Sequence, residues 1–331
     1  MSRRRPGVIE AAALLGALAL TSACASRPAT PAAPAASLAF ALEVRVEAWG
    51  EDDPFLDLPR VPAHPGLEGL EEWLEAGTLR TEALPPREDD PYLRPLRVRP
   101  GEAAESGEWV GRLRYAARLP ARDAPLPPVL EGWPEADPGL SRWLRPTTAL
   151  PARSPRVRKF LVSRVEPRLE AGAPDVVREI VAVLDEAVRL DREKASGPGV
   201  LEALRTGVTT PNGLNRLLVT SLRTAGIPAR LAAGLDLAAP KGERFVRWTE
   251  VHLQGAWWAL APPGMSALPG SVIELDHGDQ RFLPRSEGTR LRFVLLPLVV
   301  PPGDAIGEAA TRALDASARR RAAREQEEER E

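Results

Sequence analysis

The sequence has 331 residues, of which 44% are hydrophobic and 27% are charged, and this is enough for two domains of ordinary size with buried cores. These proportions exclude a wholly disordered or fibrous chain. The 44 Lys and Arg residues and the 46 Asp and Glu residues leave a formal net charge of −2, so a nucleic-acid partner is not expected.

The first 23 residues have the pattern of a secretory signal peptide. Three arginines (Arg3–Arg5) precede an apolar run, Ala11–Leu20, that is too short to span a bilayer. The small residues directly before Cys24 resemble the bacterial lipobox, in which cleavage leaves the cysteine as the lipidated first residue. Ala23-Cys24-Ala25 also fits an ordinary cleavage site. We expect a lipid anchor at Cys24 and a location in the bacterial cell envelope, on the periplasmic side or the cell surface, with plain secretion as the alternative.

Cys24 is the single cysteine of the chain, so the fold that follows it has neither a disulfide nor a catalytic thiol. Residues 24–37 are rich in Pro and Ala, which predicts a semi-extended tether between the anchor and the folded part.

Alternating apolar and charged residues from Leu38 to about Trp49 predict a half-buried strand, with Leu42 on the apolar face and Glu43 on the opposite face. Residues 109–115 repeat this pattern, and Pro-rich stretches between and after the two strands indicate loops. We predict a small β-rich domain at 38–150.

After residue 155 the hydrophobic residues recur at the spacing of a helix. The predicted helices run from Val157 to Val165, from about Pro174 to Val188, from Val200 to Arg205 and from Pro211 to Ala225. Pro167 ends the first of them, and Gly207 suits a left-handed cap after the third. Thr210 is a typical N-cap and Pro211 a typical first helical residue, and four leucines make the last helix a buried one.

A series of strands follows the helices. The predicted strands are Arg230–Leu237, Phe245–Leu253, Ala256–Ala261, Val272–Leu275 and Leu291–Val300, with a Gln254-Gly255 turn between the second and third. Residues 301–331 form a charged tail, which we expect to be helical and frayed.

The order of three motifs is informative. Gly226-Ile227-Pro228-Ala229-Arg230 follows the buried helix, Trp248-Thr249-Glu250-Val251 lies on a strand, and Trp257-Trp258 precedes Pro262-Pro263. This order resembles the transglutaminase-like superfamily over roughly residues 145–265. The resemblance implies an α+β fold, related to papain-like cysteine proteases, with a helical cluster packed on an antiparallel sheet. This core would occupy 151–300 and follow the β-rich domain.

In that family a Cys at the start of the buried helix, a His on the next strand and an Asp on the following strand form the catalytic triad. Carried over to this sequence, the Cys position is Pro211, or Thr210 if the helix is one residue longer. The His position is Val246, and the Asp position is Ala261 or Pro262. The resemblance therefore implies a preserved scaffold with a replaced triad, and no cofactor.

We expect a catalytically inactive module that binds an envelope protein, a peptide or a glycan, or acts as a scaffold. The residues of a possible remaining cleft are Thr210, Asn212, Trp248, Glu250 and His252. An alternative is a hydrolase or acyltransferase with a rearranged site around Thr210, Glu250 and His252. That alternative requires the Thr210 hydroxyl and a His252 nitrogen to lie within hydrogen-bond reach.

Two further interpretations stay open. The protein could be a purely structural accessory of an envelope machine, without a functional cleft. Asp276-His277-Gly278-Asp279 has the residue types of a metal site, but a polar turn explains it as well, and we expect the turn and no metal.

The anchor generates the first testable prediction. Wild-type protein should incorporate a palmitate analogue during metabolic labelling, because Cys24 would be acylated, and Cys24→Ser should not. Absence of label in the wild type, or equal label in the variant, would contradict the anchor.

Overall fold

The structure is a computed structural model that describes residues 38–48, 55–58, 60–61, 67–75, 77–86, 93–101, 109–119, 138–170, 175–192, 198–240, 245–253, 255–260, 271–279, 289–300 and 305–328. Cys24, the Pro/Ala tether, Ala261 and Pro262 lie outside these residues, as does Gln254 of the predicted turn. Within the described part of the chain, no helix has the length and apolarity needed to cross a membrane.

Strands make up most of the described elements. The strands are β1 (Leu38–Ala48), β2 (Leu56–Leu58), β3 (Glu68–Glu75), β4 (Leu79–Ala83), β5 (Leu96–Pro100), β6 (Trp109–Leu119), β7 (Arg189–Leu190), β8 (Val208–Thr209), β9 (Ala229–Asp236), β10 (Phe245–Leu253), β11 (Ala256–Leu260), β12 (Val272–His277) and β13 (Thr289–Leu298).

The helices begin and end close to the predicted positions. They are α1 (Pro155–Arg164), α2 (Glu166–Glu170), α3 (Val176–Ala187), α4 (Val200–Thr206), α5 (Pro211–Thr224) and α6 (Ile306–Glu328), and a 3₁₀ helix spans Pro138–Leu144. Asp175 caps α3 by accepting hydrogen bonds from two backbone N–H groups, and Gly207 ends α4 at φ 66°, which a glycine adopts without strain.

Two antiparallel four-stranded sheets dominate the architecture. The first has the order β13-β1-β6-β3 and the second the order β11-β10-β9-β12, and β2, β5 and β4 form a smaller antiparallel sheet. Strand β13 lies within the predicted segment 151–300 and pairs with β1 along its length, with Leu295 opposite Leu42. Helices and antiparallel sheets in these proportions confirm the predicted α+β class, whereas the domain boundaries themselves stay predictions.

Apolar side chains connect these layers. The helices α1, α3, α4 and α5 bury one face against each other and against Val251 and Leu253 of β10. A second cluster packs Phe40 and Leu113 of the first sheet with Leu235 of β9 and with residues of β12. Strand β9 contributes to both clusters, through Ala229 and Leu235, so the strands that carry the candidate site are held by both.

Glu43 was predicted on the solvent-facing side of β1, and this prediction is wrong. The side chain is buried because α6 covers that face of the sheet, with Ile306, Ala310 and Leu314 packed against it. The Arg114 guanidinium donates to the Glu43 carboxylate at 3.0 Å, so the buried charge is paired. The first half of α6 is consequently packed rather than frayed.

Helix α5 begins as its sequence indicates. The Thr210 hydroxyl accepts a hydrogen bond from the Gly213 backbone N–H at 3.2 Å, and Pro211 occupies the first helical position. Leu217, Leu218 and other apolar residues on one face of the helix are fully buried, which makes α5 the central helix of the cluster.

The buried face of α5 generates the second prediction. Leu218→Ala should lower the free energy of unfolding by about 2–5 kcal/mol, because it leaves a cavity in a close-packed core. Arg216→Ala, at a partly exposed position two residues before it, should cost less than about 1 kcal/mol. Urea denaturation of both variants checks this, and equal losses would argue against the packing described.

Candidate functional site

The first two turns of α5 are fixed against β10 by polar contacts. The Asn215 side-chain amide donates to the backbone carbonyls of Arg247 at 3.1 Å and of Pro211 at 3.3 Å. The Thr249 hydroxyl donates to the Asn215 side-chain oxygen at 3.1 Å. Because these groups are buried, the bonds hold the start of the helix at a set position over the strand.

Side chains of β10 alternate between the two faces of the second sheet. Arg247, Thr249 and Val251 lie on the face covered by α5, as their contacts show. Trp248 and Glu250 therefore point to the opposite face. Trp248 is 1% exposed and packs there with neighbours that include Val246.

An ion pair occupies the opposite face. The Arg230 Nε donates to Glu250 at 2.7 Å, from the directly paired position on β9, and the indole N–H of Trp248 donates to the other carboxylate oxygen at 3.2 Å. The Arg230 guanidinium lies 4.1 Å from the ring centroid of Trp257 and 5.6 Å from that of Trp143. The pair is thus enclosed by aromatic rings that favour a cation.

Burial raises the pKa of the Glu250 carboxyl, and the negative charge of Glu274 raises it further, while Arg230 and His277 act in the opposite direction. Glu250, Glu274 and His277 bring one ligand atom each within 4.8 Å of one another, so by residue type they could hold a cation. Both Glu250 oxygens already accept hydrogen bonds, and Arg230 supplies the positive charge at that carboxylate.

The predicted polar turn at Asp276-His277-Gly278-Asp279 is only partly correct. Asp276 and His277 are the last two residues of β12, and His277 is buried and hydrogen-bonded to Glu274 at 2.8 Å. Gly278, at φ 128°, then turns the chain so that Asp279 reaches Arg223 of α5.

The positions of the family's triad carry no reactive group in the described residues. Pro211 is exposed at the first turn of α5, Val246 packs beside Trp248, and Pro262 lies outside the described residues. Thr210, the other nucleophile position, is 2% exposed, and its hydroxyl already caps the helix.

Thr210 and His252 are not neighbours. The start of α5 contacts β10 at Arg247, and His252 lies five residues further along that strand, roughly 16 Å at the usual rise. His252 packs edge-on against Trp257, with ring centroids 5.2 Å apart. This arrangement does not provide the hydrogen bond that the rearranged site requires.

A cavity of about 250 Å³ opens between the start of α5 and the second sheet, and we call it the α5 cavity. It is lined by Ala149, Asn212, Asn215, Arg216, Leu231, Ala232, Ala233, Arg247, Asp276, His277, Gly278 and Asp279.

Of the five residues predicted for a cleft, Asn212 lines the α5 cavity and the other four do not. Thr210 is buried under the helix start, and Trp248, Glu250 and His252 occupy even positions of β10, which face away from α5.

The arginines of this cavity and Trp143 were not predicted as site residues. Arg216 follows Asn212 by one helical turn, and Arg247 shares its strand face with Thr249. The helical and strand periodicities of the sequence could therefore have indicated both arginines. Trp143 precedes the predicted boundary at residue 150 and still packs against Trp257, with centroids 5.8 Å apart. No local pattern indicates that contact, because it joins segments far apart in sequence.

The buried ion pair generates the third prediction. Arg230→Met should lower the free energy of unfolding by about 3–5 kcal/mol, because it leaves the Glu250 carboxylate buried without its partner. Arg205→Met, which removes an exposed ion pair with Glu202, is the matched control and should cost at most about 1 kcal/mol. Thermal and urea unfolding measure both, and similar losses would contradict the importance assigned to Arg230.

Comparisons with known proteins identify the fold of this region. Residues 162–262 match the sequence profile of the transglutaminase-like superfamily. The fold is similar to the crystal structure of a protein from Cytophaga hutchinsonii assigned as a cysteine protease, with a TM-score of 0.62 and 12% identity, covering 81% of this chain and 93% of that chain. A protein from Parabacteroides distasonis assigned as a protease is 14% identical over 71% of this chain and 46% of that chain, but its TM-score of 0.29 carries no structural argument. No curated protein matches the sequence.

At 12% identity the structural similarity establishes a shared fold and not a shared reaction. The motifs at Gly226–Arg230 and Trp248–Val251 fall inside the matched region, on the helix end and strands that the fold requires. Residues 162–262 therefore form a transglutaminase-like domain.

Proposed function

We propose that the protein is a non-catalytic transglutaminase-like module of a bacterial cell envelope, anchored through Cys24, that binds an envelope protein, a peptide or a glycan. The observation that carries the proposal is Pro211 at the first position of α5. A helix start favours a thiolate and an oxyanion because of its partial positive charge and free N–H groups. Proline supplies neither a nucleophile nor an N–H there.

The neighbouring groups support the same conclusion. The Thr210 hydroxyl accepts the Gly213 N–H, and an activated threonine would need an adjacent base, which Val246 is not. The family residues that persist, Arg230, Trp248 and Glu250, bond to one another on the face away from α5. They stabilise the sheet in this chain, and their presence does not argue for catalysis.

The rearranged-site enzyme is the weaker alternative, because Thr210 and His252 contact different elements some distance apart. The interpretation as a purely structural accessory protein is also weaker, because it leaves the α5 cavity at the start of the helix without a function. A pocket beside the start of α5 favours retained binding over a scaffold without a site.

The fourth prediction concerns activity. Purified wild type and Pro211→Cys should show neither amine incorporation into a glutamine donor nor peptide hydrolysis, since thiol, imidazole and carboxylate act as a unit. The variant that combines Pro211→Cys, Val246→His and Pro262→Asp tests whether the scaffold can still support the reaction, and activity appearing only there would fit a decayed site.

Thr210→Ala and His252→Ala are the controls for this assay. Activity in the wild type that either substitution abolishes would overturn the proposal and establish the rearranged-site enzyme.

A further inference from the structure

Two arginines line the α5 cavity from different elements, Arg216 from the second turn of α5 and Arg247 from β10. Within the described part of the chain, neither guanidinium lies at ion-pair distance from a carboxylate. Arg247 lies 5.4 Å from the ring centroid of Phe245, which orients it without neutralising it. The two arginines line one cavity, and the pKa of Arg247 is lowered by desolvation and by the charge of Arg216.

The acidic residues of the wall do not balance these charges. Arg223 donates two hydrogen bonds to Asp279, at 2.6 and 2.7 Å, which neutralises that carboxylate. Among the described lining residues this leaves one carboxylate, that of Asp276, against the two guanidinium groups of Arg216 and Arg247, so the wall has an excess of positive charge. A bound anion would reduce this excess. The partial positive charge at the start of α5 acts in the same direction.

The shape of the site indicates a small group rather than a whole ligand. A cavity of about 250 Å³ lies just below the usual range for pockets that enclose small molecules. Asn212, one turn before Arg216, adds a side-chain amide to the same wall. Two guanidiniums and an amide are the donors that planar carboxylates accept well.

We propose that the α5 cavity binds a carboxylate group of the ligand through Arg216, Arg247 and Asn212. This inference rests on the proposed binding function and adds its chemical class. The carboxylate could belong to a peptide chain end or to an acidic sugar, because both present the same group to the same donors. A bound carboxylate would relieve the repulsion between the guanidinium groups of Arg216 and Arg247.

The fifth prediction tests this assignment by titration calorimetry in about 0.15 M salt, which screens weak surface attraction. The probes are N-acetyl-alanyl-alanine, its C-terminal amide and glucuronic acid. We expect at least one of the two acids to bind the wild type, and the double variant Arg216→Gln/Arg247→Gln to weaken that binding at least tenfold. Arg189→Gln removes an exposed arginine outside the cavity and should leave binding within about twofold.

Comparison of the peptide acid with its amide needs only wild-type protein, so it stays valid if the double variant folds poorly. Binding of the peptide acid at least tenfold tighter than the amide assigns the carboxylate to a peptide end, and binding of glucuronic acid assigns it to an acidic sugar. Equal binding of acid and amide without glucuronic acid binding, no binding of either acid, or binding unchanged in the double variant would overturn the inference. Each of those results leaves the proposed non-catalytic function standing, because turnover by the wild type is what would contradict that proposal.

Discussion

The second sheet depends on one buried ion pair, Arg230 with Glu250. Removing two charges from water is costly, and their attraction offsets this only when geometry and further hydrogen bonds are good. Here both conditions hold, since the bond is 2.7 Å long, Trp248 donates to the remaining carboxylate oxygen, and Trp257 and Trp143 border the guanidinium. The pair joins directly opposite positions of β9 and β10, the two central strands, so it supports the register of the sheet.

This arrangement separates two kinds of residue that lie next to each other in sequence. Even positions of β10 hold the sheet together, and odd positions carry the contact with α5 and line the cavity. Thr249 and Asn215 place the helix start, while Trp248 and Glu250 never reach it. Substitutions on the cavity side can therefore change what the site does without disturbing the pair on which the fold depends.

The regular elements could be predicted from the sequence because each follows from local chemistry. Thr210 and Pro211 begin α5, Gly207 ends α4, and alternation marks β10. Glu43 could not be placed correctly, because its burial depends on α6, a helix more than 260 residues away. Asn212 was predicted for a cleft and lines the α5 cavity, but the arginines of that cavity come together only when the helix and the strand are placed in space.

A replaced triad need not destabilise the domain. A catalytic thiol, imidazole and carboxylate are polar groups. Holding them in reactive positions at a helix start and in a sheet lowers the stability of the domain. In this chain proline at 211 fixes the first helical dihedral and valine at 246 joins the apolar cluster around Trp248, so both residues suit the local structure better than reactive ones. The positive end of α5 remains when the thiol is gone, because it arises from the backbone. An anion attracted to that end needs no reaction to be bound there, which is why the function we propose is recognition.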